Sequence, residues 1–294
     1  MLSFLFWPFI ACLILTGIHT YLGLHVIRRG VIFVDLALAQ MAALGATAAL
    51  LFGRDLHDPA AYWASLGMTL IGAAFFSLSR SRDEKIPQEA IIGIVYVVSA
   101  AAAVIVLDRA PGGAEHIRGL LVGNILTVTP AQITKTAILY TAVGLFHWFF
   151  RKVFLLISFN PEEALRRGYR FRAWDFLFYA AFGVVVTSSV SLAGVLLVFA
   201  FLIVPALASL LLTDGIVPRL WIGWGFGTAA SLLGLAASVT FDLPTGASIV
   251  CAFGLLLLLP ILGRSLFRMI RPGIRATRPR GNPLKGEKLD NKFE

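Results

Sequence analysis

Charge is scarce in this sequence. Asp, Glu, Lys and Arg make up 14% of its 294 residues, where a soluble globular chain carries about 25%. A water-soluble domain of this length needs more polar surface to cover its core, so that class is excluded. Cysteine is nearly absent. Cys12 and Cys251 stand far apart in no redox or metal spacing, which excludes a disulfide scaffold and reads as two buried, inert thiols. No C-x-x-C or H-E-x-x-H pattern occurs among the five histidines, so no recognisable metal motif is present. His57 and His116 fall on outward loops, and His147 at the inner end of the fifth apolar run. Long polar stretches are missing too. No loop can fold as a domain, and catalysis would have to occur within the apolar part, which removes most enzyme classes. A phosphate-binding loop is also lacking. "GNPLKGEK" approaches G-x-x-x-x-G-K-[ST], but Glu287 stands where the lysine belongs and Pro283 interrupts the loop. Any ATP used is therefore bound by another chain.

What remains is hydrophobic: 58% of residues and a mean hydropathy of +0.84. Apolar runs of roughly 17 to 25 residues, enough to cross about 30 Å of hydrocarbon as a helix, recur along nearly the whole chain. Nine are read, at residues 2–24, 31–52, 60–79, 90–107, 131–150, 176–190, 192–212, 220–239 and 247–267. The sixth and seventh run together at "VVVTSSVSLAGVLLV", which would make eight. "IRGLLVGNILTV" is too short to span and suits a re-entrant or interfacial segment. The expected fold is all-α, a polytopic transmembrane helix bundle over residues 1–270. A basic tail over residues 271–294 is expected to be disordered. The amino terminus has no basic n-region or small-residue cleavage site, so it reads as a retained first span.

The formal net charge of +9 alternates by loop, which is a topology signal. Basic residues follow runs one, three, five and nine, while "GRDLHDP", "DRAPGGAEH", "TSSVS" and "TFDLPTG" are acidic or neutral. The amino terminus is thus expected outside and the carboxyl terminus in the cytoplasm. The tail's arginines are expected to anchor topology and meet anionic membrane lipid rather than nucleic acid.

Within the cytoplasmic loop at residues 151–173, "SFNPEEALRRGYRFRAWD" specifies a helix of about two turns. Asn160 can cap it, Pro161 suits the first position, and Glu162 and Glu163 lie in the first turn, Glu163 as in a capping box. Arg166 and Arg167 close the last turn before Gly168 gives a left-handed stop. A helix so short packs on something. A connector resting on the bundle and a docking element for a soluble partner are both open.

Run two, "GVIFVDLALAQMAALG", holds an acid at Asp35 and an amide at Gln40. Arg28 is seven residues before Asp35, close to the same face of one continuous helix, so an ion pair is one reading. An intramembrane acid is otherwise a functional suspect. Gln40 lies about 140° around the helix from Asp35 and suits a hydrogen bond to a neighbouring helix.

Six segments in order, "GLHVIRRGVIFVDLALAQMAALG", "PQEAIIGIVYVVSA", "GLLVGNILTVTPAQI", "FNPEEALRRG", "AGVLLVFAFLIVPALASLLLT" and "FDLPTGASIV", give the chain a resemblance. It resembles the integral membrane permease of ABC importers for transition metals, the ZnuB-, MntB- and TroC-like family. The resemblance implies a homodimer around a central path in the plasma (inner) membrane, with two cytoplasmic ATP-binding subunits and an extracytoplasmic metal-binding protein. The chain itself would bind no cofactor, with ATP and Mg on the partner and a divalent metal as cargo. "FNPEEALRRG" would be the coupling helix that docks the ATPase, through Asn160, Glu162, Glu163, Ala164 and Gly168. The family commonly has aspartate and, four residues later, histidine in span two. Counted from the arginine pair, Asp35 falls on the aspartate and Ala39 on the histidine; counted back from Gly45, Leu36 and Gln40 take those places, so either count loses the histidine. His19 and His25, in span one and close to span two if the pair forms a hairpin, are candidates to compensate. The pathway candidates are then Asp35, Gln40, His25 and His19, with Asp35 the candidate metal contact. Zinc or manganese is the expected cargo, with iron possible. A chelated metal or small organic solute on the same fold, or an ATP-independent channel, is the alternative.

Overall fold

The computed structural model describes residues 2–54, 58–80, 87–108, 123 and 125–270. Among them the chain forms eleven α-helices and one short 3-10 turn, and no strand. In order these are α1 (Leu2–Arg29), α2 (Val34–Leu50), α3 (Pro59–Leu78), α4 (Gln88–Asp108) and the 3-10 turn (Ile125–Thr127). Then follow α5 (Pro130–Phe149), α6 (Arg151–Phe159), α7 (Pro161–Arg166), α8 (Phe171–Ala193), α9 (Val195–Leu212), α10 (Ile216–Phe241) and α11 (Thr245–Ile270). The tail over residues 271–294, His57 and His116 lie outside the described residues.

The expectation of a polytopic all-α bundle holds. Seven helices (α1, α3, α4, α8, α9, α10 and α11) are long and apolar enough to cross a membrane, and the α5–α6 pair, bent by 76°, makes an eighth if it is one span. Each of the nine apolar runs contains a helix, but run two yields one of only 17 residues.

Local chemistry sets these boundaries. α1 ends in a Schellman motif: Gly30 takes φ +68°, its N–H donates to the Ile27 carbonyl, and the Val31 N–H donates to that of Val26. The next helix therefore begins afresh at Val34. Its amino-terminal donors are met from α4, where Glu89 Oε2 and Oε1 accept from the N–H groups of Ile32 (3.1 Å) and Phe33 (2.9 Å). Asp58 caps α3 with Pro59 behind it, and Thr129 and Gln132 form a reciprocal capping box on α5.

The segment "TSSVS", expected as an outward loop, is helical. α8 runs through it to Ala193, and the break comes at Gly194, whose φ is +79°. Ser188 and Ser191 hydroxyls donate to carbonyls three residues back, so the serines feed the helix instead of ending it.

α1 lies against α9 and α10, while α2 lies against α3 and α4. The expected hairpin of the first two spans gives way to this arrangement, and the reason is steric. At Gly23 an added Cβ would sit 1.9 Å from the Leu202 carbonyl oxygen, so the backbones of α1 and α9 touch. Phe178 and Phe182 of α8, Phe201 of α9, and Leu15 and Leu22 of α1 fill the centre. Cys12 is buried there, but Cys251 is exposed on α11, contrary to its expected burial.

Candidate functional site

Asp35 stands in the first turn of α2, where the helix dipole favours an acid. It is 2% exposed, and its Oδ1 has no hydrogen-bond partner. The continuous helix that would set Arg28 two turns from Asp35 does not exist, because the Gly30 turn separates them. Arg29 turns elsewhere: its Nη1 lies 2.6 Å from Asp175 Oδ1 on α8. Gln40 is half-buried on α2, and Ala39 beside it is buried.

The two histidines of α1 sit in different settings. His19 Nδ1 donates to the Leu15 carbonyl at 2.9 Å, and Nε2 lies 3.1 Å from Ser189 Oγ, a hydroxyl that also bonds the Val185 carbonyl at 2.6 Å. Ser189 also bonds Tyr140 of α5, so His19 ties α1 to α5 and α8 with both ring nitrogens engaged.

His25 is fully buried, and its Nδ1 lies 2.8 Å from Ser158 Oγ of α6. The same oxygen accepts from Arg29 Nε at 2.8 Å. A guanidinium can only donate, so Ser158 Oγ accepts from Arg29, and the proton between that oxygen and His25 Nδ1 is carried by the serine or by the ring, whose other nitrogen is Nε2. That Nε2 is buried without a partner, as is Nε2 of His147. The two rings are 6.4 Å apart, with Tyr21 packed against both and its hydroxyl 3.4 Å from His147 Nδ1. Among the described residues no group of three or more His, Cys, Asp or Glu could hold a metal within one copy.

Asp175, 0% exposed, receives Arg29 on one oxygen and Arg80, from just past α3, on the other at 2.5 Å. This joins α1, α3 and α8 at one end of the bundle. Together with Ser158 it makes a continuous polar chain, Arg80–Asp175–Arg29–Ser158–His25. Asp175 and Ser158 were not singled out from sequence, and His147 was placed at the inner end of the fifth apolar run without a partner. His147 and Ser158 meet α1 across 126 and 133 residues, a distance at which spacing carries no signal.

The short helix α7 forms at that same end. Pro161 opens it, and a Schellman motif closes it at Gly168 (φ +74°), with Gly168 N–H donating to Leu165 O and Tyr169 N–H to Ala164 O. The expected capping box is not formed. Asn160 has φ −139° and ψ 62°, off the usual cap geometry, and makes no side-chain cap bond. Glu163 instead accepts from Arg167 Nε at 2.9 Å. Ala164, 0% exposed, seats the helix on Leu156 and Ile157 of α6, while Glu162 and Gly168 face out and Leu165 is 46% exposed. Beside it runs a groove of about 930 Å³ lined by Arg80, Glu162, Leu165, Arg170 and Phe171.

Comparison with known proteins gives this geometry a setting. The family model described as "ABC 3 transport family" matches residues 1–264. A Haemophilus influenzae protein described as a probable iron transport system membrane protein is 28% identical over 197 residues, 65% of this chain and 72% of that one. The manganese transport system membrane protein MntC of Listeria innocua is 26% identical over 232 residues, 78% of this chain and 79% of that one. Among solved structures, PsaBC from Streptococcus pneumoniae in complex with Fab superposes with a TM-score of 0.75 at 22% identity, covering 91% of this chain and 95% of that one, which is a likeness of fold. With apolar helices throughout and a match over residues 1–264, the chain belongs to the ABC 3 transport family as a multi-pass protein of the plasma membrane.

Proposed function

We propose that this chain is the permease subunit of an importer for a divalent transition metal, manganese or iron in the first place, driven by ATP hydrolysis on a separate subunit. The observation that carries the reading is the family match over nearly the whole chain, together with relatives named for manganese and iron transport. Two copies surround the path, and an extracytoplasmic protein delivers the metal. Counting α2 and the bent α5–α6 pair with the seven long helices gives nine spans, with the amino terminus outside and the carboxyl terminus in the cytoplasm, as the loop charges favour. Residues 1–270 form the permease, and 271–294 a basic cytoplasmic tail.

α7 is the coupling helix on this reading. Its seat on α6 through Ala164, and the exposure of Glu162, Leu165 and Gly168 beside a groove, support docking of the ATPase there. Asp35 is the pathway acid: a carboxylate buried at a helix start with an unpartnered oxygen is a hard donor suited to Mn²⁺ or Fe²⁺. Gln40, half-buried on the same helix, and His25 are secondary candidates, and His19 is tied structurally. Alternating access follows if the coupling helices move with the ATPases.

The test is uptake in vesicles containing this chain and its ATPase. Wild type should import Mn²⁺ only with ATP, and Asp35→Ala should lower the rate at least tenfold while still binding the ATPase. Unchanged Mn²⁺ flux in Asp35→Ala removes that residue from the path. ATP-dependent flux of a chelate but not of free metal overturns the cargo, and flux without any ATPase overturns the class.

A further inference from the structure

A second groove, of about 580 Å³, opens between α1, α5, α6 and α10. Its walls are apolar along most of their length, from Ile14, Ile18, Ala137, Val217 and Leu220. Two glycines leave it open. A Cβ built at Gly17 or Gly144 meets nothing within 4 Å, so these positions form the bed of the furrow without supporting a neighbouring helix. Two of the polar groups nearby are paired within the protein: Tyr21 with His147 Nδ1, and Trp224 Nε1, which donates to the Gly17 carbonyl at 3.1 Å, while His147 Nε2 is buried without a partner.

One mouth of the groove is different. Arg151 stands there, its guanidinium 4.9 Å from the Trp148 ring and its Nη1 donating to the Trp148 carbonyl, while its Nε is buried with no hydrogen-bond partner. Trp148 beside it is 62% exposed, and Trp224, which also lines the groove, packs edge-on to Trp221 outside it. Exposed tryptophans beside a cation mark the head-group level of a bilayer. From Trp148 back to Ala137 is eleven residues, or about 16 Å along the helix. Half the hydrocarbon thickness is about 15 Å. The furrow is therefore about one leaflet deep.

We infer that this groove is a binding site for an anionic glycerophospholipid, with the phosphate against Arg151 beside Trp148 and an acyl chain lying over Gly144 and Gly17. The site commits to lipid on three grounds: charge at one end only, an exposed tryptophan at that same end, and a length of one leaflet. The inference needs only that the chain spans a membrane, and it stands whatever the cargo.

Native mass spectrometry of the full chain in detergent, offered equal amounts of phosphatidylglycerol and phosphatidylcholine with identical acyl chains, tests it. Wild type should retain the anionic lipid about fivefold over the zwitterionic one, the factor that one cation near a head group supplies. Gly144→Leu fills the furrow and should lose the bound lipid, and Arg151→Gln should keep lipid but lose the preference. Gly144→Ala controls for folding, since its Cβ is unopposed and alanine suits a helix better than glycine. Wild-type lipid retention by Gly144→Leu overturns the site, and an unchanged preference in Arg151→Gln overturns its anionic specificity. If Gly144→Leu instead dissociates a dimer while wild type never carries lipid, the groove is a contact between copies and the inference fails.

Discussion

Arg29 and Asp175, 146 residues apart in sequence, meet at 2.6 Å with side-chain exposures of 3% and 0%. An ion pair this deep is costly to break from one side, because the surviving charge stays desolvated. Asp175→Ala should destabilise the bundle by about 3–5 kcal/mol, read as a lower midpoint in detergent thermal unfolding. Arg80→Ala should cost less, since that side chain is 27% exposed and water can replace it. Equal losses for the two variants would show that the burial argument is wrong.

Gly23 and Gly17 share α1 and differ only in what faces them. An added methyl at Gly23 enters the Leu202 carbonyl at 1.9 Å, whereas one at Gly17 meets nothing. Gly23→Ala should therefore separate α1 from α9 at a cost of about 1–3 kcal/mol or more. Gly17→Ala should be neutral or gain about 0.5–1 kcal/mol from helix propensity. Paired unfolding curves would settle it, and a tolerated Gly23→Ala would contradict the close approach.

Glu89 holds the start of α2, and with it Asp35. Glu89→Ala leaves the Ile32 and Phe33 N–H groups without their carboxylate and should cost about 0.5–2 kcal/mol, as helix caps do. Glu89→Gln, which keeps one acceptor oxygen, should fall between. If Asp35 serves transport, uptake in the three proteins should rank in the same order at a temperature where all are folded. Equal uptake would separate the cap from the path.

For α7, Leu165→Asp alters the outer face and Ala164→Leu the seat. Leu165→Asp should abolish co-purification of the ATPase without lowering the unfolding midpoint. Ala164→Leu overfills a site that is 0% exposed and should lower stability by about 1–3 kcal/mol. The Glu163–Arg167 pair, 38% and 61% exposed, should matter by less than about 1 kcal/mol to stability. Retention of the ATPase by Leu165→Asp would refute docking on this face.

How far the sequence revealed these features depends on the range of the forces involved. Apolar run length located a helix in every run, because backbone satisfaction in lipid leaves little choice. Pro161 and Gly168 marked both ends of α7, since their φ preferences act locally. Asn160 misled because a cap residue's identity does not fix its backbone angles. The "TSSVS" segment misled because serine reads as a loop former until its hydroxyl bonds back into the helix. Asp35 was placed in one continuous helix with Arg28 because glycine is common inside membrane helices, and only the φ of Gly30 distinguishes a stop from a passage. The Asp175 cluster and the His25–His147 contact join residues from distant helices, and no periodicity in one chain encodes such a meeting.

The Asp175 cluster also orders events during synthesis. Arg29 and Arg80 leave the ribosome 146 and 95 residues ahead of their counter-ion. Until α8 follows, α1 and α3 each end in an unneutralised guanidinium, which holds those ends at the aqueous margin. When Asp175 arrives it draws both inward, so the groups that first resist entry of the helix ends into lipid become the groups that fasten them together. A ribosome stalled before residue 175 would leave two helices inserted but not joined.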